Sequence, residues 1–163
     1  MKKTLLFLSM MACIDTSHAA PLLSPSLILP INNEIVGMKQ PLKFSWSVGV
    51  KNAKTIKQYR LIISNNERFT DYDLGNGKCT NDNTCAKFDV KTPSKPLPAT
   101  HPFLQKEGSY FWQVQAFDKS GNSSLLFQGS KNSNTGSDAR RKKVSINQFN
   151  VVLKDVSIDE QCH

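Results

Sequence analysis

The stretch Gly108-Ser109-Tyr110-Phe111-Trp112-Gln113-Val114-Gln115-Ala116-Phe117, closed by Asp118-Lys119-Ser120-Gly121-Asn122, reads as a long β-strand running into a turn. Strand side chains alternate between the two faces, so Tyr110, Trp112, Val114 and Ala116 share one face. Phe111, Gln113, Gln115 and Phe117 share the other. Aromatic and β-branched residues suit a pleated, half-buried surface, while Asp, Ser, Gly and Asn suit turns. Such a strand needs a second layer to bury its apolar face.

The same alternation recurs on both sides. Leu42-Lys43-Phe44-Ser45-Trp46-Ser47-Val48 is apolar at every second position, and Gln58 to Ser64 sets Tyr59, Leu61 and Ile63 opposite Arg60, with Asn65-Asn66 as a turn. Cys85 to Val90 alternates again. Leu27 to Leu29 stops at Pro30, and Asn32-Asn33 turns into Glu34 to Val36, consistent with a broken edge strand that tolerates proline. Residues 70–85 are polar and turn-rich, and Pro93, Pro96, Pro98 and Pro102 exclude a central strand across 93–102. Leu125 to Gln128 is apolar, residues 129–143 read as a flexible basic loop, Val144 to Leu153 reads as the last strand, and 154–163 as a tail or an extra edge strand. No 3.6-residue period persists for three turns. The expectation is an all-β chain forming a single β-sandwich of about seven strands.

Met1-Lys2-Lys3 followed by the short apolar run Thr4 to Ala12 reads as a signal peptide, too short to span a bilayer, with Ser17 and Ala19 marking cleavage after residue 19. A lipoprotein signal ending at Cys13 is the rival. The expected mature chain of 144 residues suits one domain, residues 20–128 with the last strand 144–153, and no later run is long enough to span a membrane. Its expected location is the periplasm, the outer membrane's surface or the medium. Removing Lys2, Lys3 and Asp15 takes the formal charge from +8 to +7. That favours anionic partners, or serves solubility alone.

Cys79 and Cys85 flank a polar loop, and in an oxidising compartment this spacing reads as a local disulfide. Zinc would need two more Cys or His ligands, and none lies nearby in sequence. Cys162 is the odd thiol, an intermolecular bridge or a solvated tail residue.

The order of side chains resembles a bacterial fibronectin type III domain. The resemblance rests on Pro41-Leu42-Lys43-Phe44-Ser45-Trp46, Tyr59 to Ser64 followed by Asn66 and Phe69, Leu104 before Glu107-Gly108, and Tyr110 to Ala116 followed by Asp118 and Gly121-Asn122. It spans about residues 25–128 and implies an immunoglobulin-like sandwich with Trp46 in the core and Leu104 plugging one end. Phe44, Trp46, Tyr59, Leu61, Ile63, Leu104, Tyr110, Trp112 and Val114 are the expected core. The loop at 75–85 and the basic segment before the last strand depart from the family pattern. Such domains are chiefly adhesion, spacer and protein- or glycan-binding modules, so the resemblance implies binding and carries no catalytic residues.

Little in the chain points to chemistry. His101 sits among prolines and His163 at the end, no G-x-S-x-G elbow is present, and Asp71, Asp73, Asp82 and Asp89 lie among Asn and Gly where turns explain them. Asp71 to Gly77 invites a calcium reading, but its glycine and terminal acid are out of place for an EF-hand loop. No enzyme activity, cofactor or metal site is expected, and export argues against nucleic acid as a partner. The candidate binding surface is Phe111 and Phe117, with Arg140, Arg141, Lys142 and Lys143 as an anion-clamping alternative to a solvated loop flank. The expectation is a non-catalytic binding or structural module of a bacterial cell envelope, such as a small subunit of an outer-membrane or secretion assembly, contacting envelope proteins or an anionic or glycan surface. The alternatives are a secreted adhesin or glycan-binding protein, and an inhibitor of an external enzyme.

Overall fold

The strand centred on Trp112 lies in the middle of a five-stranded sheet. The computed structural model describes residues 22–49, 53–127 and 144–153. The expected signal peptide with Cys13, the run Arg140 to Lys143 and Cys162 lie outside the described residues. In chain order the strands are β1 Ser26–Leu29, β2 Glu34–Gly37, β3 Leu42–Ser47, β4 Ile56–Ser64, β5 Tyr72–Asp73, β6 Lys78–Cys79, β7 Cys85–Val90, β8 Ser94–Leu97, β9 Gly108–Asp118 and β10 Asn147–Val152. They form a sheet ordered β1-β3-β8, a sheet ordered β2-β10-β9-β4-β7, and the two-stranded pair β5-β6. The fold is all-β.

One apolar cluster lies between the two larger sheets. Leu42, Phe44, Trp46 and Leu97 enter it from the three-stranded sheet, and Tyr59, Leu61, Ile63, Tyr110, Trp112, Val114, Phe149 and Val151 from the five-stranded one. Leu104, from the 3-10 turn Pro102–Leu104, is also buried there. The edge-to-face contacts of Phe44 with Trp112 at 5.1 Å, and of Trp46 with Tyr59 at 5.5 Å, match the preference of aromatic quadrupoles. Alternation explains this inward set, since each of β3, β4 and β9 contributes every second residue.

Three features add to the sequence expectation. The prolines exclude a central strand across 93–102, and the stretch instead supplies β8 at the edge of its sheet, where Pro96 opposite Lys43 leaves a missing N–H tolerable. The turn-rich residues 70–85 contain the short pair β5-β6. The last strand is interrupted. Antiparallel to β9, β10 pairs only with Gly108 to Trp112, while Ser123 bridges Phe117 at the other end of β9. Between these, Gln113 replaces the backbone ladder: its Nε2 donates to Phe127 O at 3.0 Å and its Oε1 accepts from Phe127 N at 2.8 Å. Gln113 is fully buried and does for Phe127 what an adjacent strand would do. The described return path along β9 therefore consists of two separate stretches, 123–127 and 147–152. On its other side β10 pairs in parallel with β2, from Phe149 opposite Glu34 to Val152 opposite Gly37.

In the connection from β8 to β9, His101 Nδ1 accepts from Phe103 N at 3.3 Å and its ring lies against Phe88 and Phe103. Burial, and then the charge of Lys95, hold the imidazole below its ordinary value of 6.5. A depressed folded-state pKa gives stability that is fully present above 6.5 and lost as pH falls through the folded value. Thermal unfolding measured from about pH 7.5 to 5.5 should therefore show a falling midpoint. His101→Asn keeps a capping oxygen and should flatten that dependence; an unchanged slope would remove His101 as its source.

Candidate functional site

The outer face of the five-stranded sheet is covered as well. Ile62 on β4 points away from the main core and packs with Phe69, Tyr72 and Cys85, with Cys79, Phe111, Leu126 and Ile146 against them. The chain from Asn65 through β5-β6 is folded over this face, and the Cys79–Cys85 disulfide ties β6 to the start of β7. The reach is set by polar bonds, those of Ser64 partly buried. Ser64 Oγ donates to the Asp71 carboxylate at 2.8 Å and accepts from Asn66 N at 2.8 Å. Asp73 is held below its ordinary range by bonds from the Asn76 side chain and the Gly75 and Asn76 amides. The oxygens that invited a calcium reading are thus engaged in local turns. Among the described residues, no group of three or more His, Cys, Asp or Glu is placed to hold a metal ion.

Arg60 fixes the hairpin to the sheet. Its guanidinium lies over the Phe117 ring at 4.9 Å, donates to Asp89 Oδ1 at 2.8 Å and to the Tyr72 hydroxyl at 3.3 Å. Burial works against the guanidinium's charge, but the bonds to Asp89 and Tyr72 outweigh it and raise its pKa. For Asp89, burial is likewise opposed and outweighed by Arg60 and Lys87, which lower its pKa. Gly77, at φ +62°, passes so close that a Cβ there would sit 2.5 Å from Arg60 Nη1, which explains a glycine at this turn.

Phe111 and Phe117, predicted to be the contact surface, are both half-buried and lie in different surroundings. Phe117 is roofed by Arg60. Phe111 forms the floor of an open pocket of about 260 Å³, lined also by Asn32, Glu67, Phe127, Ile146, Asn147 and Gln148. Its apolar part comes from Phe111 on β9, from Phe127 and from Ile146 just before β10. Its rim comes from the β1-β2 turn, the residues after β4, and the start of β10. Sequence reading found Phe111 but not the other lining residues. Two signals were present, Ile62 on the polar side of β4 and the glutamine at position 113 between two apolar neighbours.

No helix of the described residues is long and apolar enough to cross a membrane. The chain matches no protein-family model, and no curated protein shows significant similarity to it.

Proposed function

We propose that this chain is an exported, non-catalytic binding module of a bacterial cell envelope, a small subunit that docks on an envelope protein through the outer face of its five-stranded sheet. The observation that carries this reading is the open pocket beside the hairpin, where Phe111, Phe127 and Ile146 are lined up with polar side chains at the surface. The Cys79–Cys85 disulfide supports residence in an oxidising compartment, in keeping with the sequence of the N-terminus. The sheet orders β1-β3-β8 and β2-β10-β9-β4-β7, with a shared aromatic core, support the immunoglobulin-like, fibronectin type III-like sandwich implied by the motifs.

The test is affinity isolation of the tagged chain from bacterial envelopes in mild detergent. The wild type is expected with a larger envelope complex. Phe127→Glu places a charge in the pocket's apolar lining and should lose that complex with little change in melting temperature, because Phe127 is 37% exposed and its hydrogen bonds to Gln113 use only its backbone. Recovery of the wild type only as a free monomer would count against the reading.

A further inference from the structure

We infer that the chain forms a two-fold dimer by pairing β2 with the β2 of a second copy, a contact separate from the docking face proposed above. The two larger sheets have four edge strands, β1, β8, β2 and β7. Edges are ordinarily kept from pairing by bulges, proline, charged side chains or cover. β1 carries a register shift between Leu27 and Leu29 and is followed by Pro30. β8 carries Lys95 and Pro96, while β7 carries Lys87 and Asp89 and is tied at Cys85 to β6. β2, Glu34-Ile35-Val36-Gly37, has no lysine, arginine or proline and pairs with β10 in an unbroken register. Its Ile35 is 68% exposed, the highest value among the large hydrophobic side chains described.

In a ladder, alternate residues direct N–H and C=O toward the neighbouring strand, and those between direct them away. Met38 N donates to Val152 O, continuing the register in which Gly37 faces Val152, so Val36 and Met38 turn toward β10 and Ile35 turns away. Ile35 therefore presents a donor and an acceptor along the edge, and no other described strand lies there. An antiparallel register that sets Ile35 opposite the partner's Ile35 satisfies these groups in both copies, N–H to O in each direction, and keeps each side chain on its own face. The same register sets Glu34 opposite the partner's Val36, so like charges do not face each other. Charge also selects a second copy as the occupant. The formal charge is +8, yet no lysine or arginine lies between residues 4 and 38, so copies that repel one another elsewhere can approach along this side. Ile31, in the turn that enters β2, is 58% exposed and adds aliphatic surface beside the edge. The two-fold axis stands perpendicular to the sheet, so the outer faces of both copies, with their Phe111 pockets, lie on one side of a continuous sheet.

Sedimentation equilibrium of the chain from residue 20, carrying Cys162→Ser to exclude an intermolecular disulfide, tests this. A reversible dimer is expected, with a Kd of roughly 10 µM to 1 mM, the weak range that suits the small interface of a short strand. Ile35→Lys puts a cation on the edge and should weaken the dimer about tenfold or more, while Leu74→Lys, in the β5-β6 turn and also exposed, should change it less than about twofold. Hydrogen exchange at the Ile35 amide reads the pairing without substitution at the edge, and it should slow as the dimer fills. A chain still monomeric at about 1 mM, a dimer indifferent to Ile35→Lys, or an Ile35 amide that exchanges as fast in the dimer as in the monomer would each overturn the inference. Slow exchange at Ile35 already in the dilute monomer would mean that the chain covers its own edge, and would overturn it too.

Discussion

Phe149→Ala is expected to destabilise the protein by about 3–5 kcal/mol, the range for a fully buried phenylalanine, and to lower the melting midpoint by roughly 10 °C in a chain of this size. Phe149 is fully buried on β10, stacked on Tyr110 at 5.4 Å and edge-on to Phe44 at 5.7 Å. Truncation would open a cavity between the two sheets and loosen the one strand that joins β2 to β9. The residue lies on the last described strand, so the size of the effect tests whether that strand belongs to the core. Denaturant unfolding monitored by tryptophan fluorescence is the measurement; a loss below about 1 kcal/mol would mean that β10 is dispensable.

Removing the disulfide in a Cys79→Ala/Cys85→Ala variant should cost about 2 kcal/mol, the chain-entropy value for so small a closed loop. The loss should also be local. Cys85 is buried against Ile62, Phe69 and Tyr72, so freeing it loosens the hairpin that covers the outer face while the inner core stays intact. Hydrogen exchange should rise at Tyr72 to Cys79 and stay slow at Trp112 and Val114. Uniform acceleration across β9 would show that the hairpin and the core open together.

Strand periodicity made most of the inward-facing core legible. Phe44, Trp46, Tyr59, Leu61, Ile63, Tyr110, Trp112 and Val114 all follow a period of two, and Cys85 to Val90 is a strand with the predicted ends. What periodicity leaves out is anything decided by side chains far apart in the chain. Ser94–Leu97 pairs at an edge in spite of Pro96, a tertiary outcome that local proline rules do not forbid. Gln113 looked like an outward polar residue, yet its amide stands in for a neighbouring strand over Phe127, 14 residues on. The loop expected at 129–143 already parts the apolar run at 125–128 from the last strand, but only pairing registers reveal that 123–127 and 147–152 serve different halves of β9. The pocket shares that origin. Its lining joins residue 32 to residues 67, 111, 127 and 146–148, a set with no common motif.

Phe111 and Phe117 share the face of β9 that points away from the core. The structure separates them by what lies above. Arg60, placed by Asp89 and the Tyr72 hydroxyl, covers the Phe117 ring, whereas the ring of Phe111 meets the pocket. Strand parity assigns a face and says nothing of what folds over it.

Site-specific photo-crosslinking in living cells tests most directly whether this face is the docking surface. Benzoylphenylalanine at position 127, in the pocket's lining, is compared with the same probe at Ile28, exposed on β1 of the other sheet. The account predicts a light-dependent adduct to one envelope polypeptide from position 127 and none from position 28. No adduct from 127, or the same adduct from both positions, would contradict it.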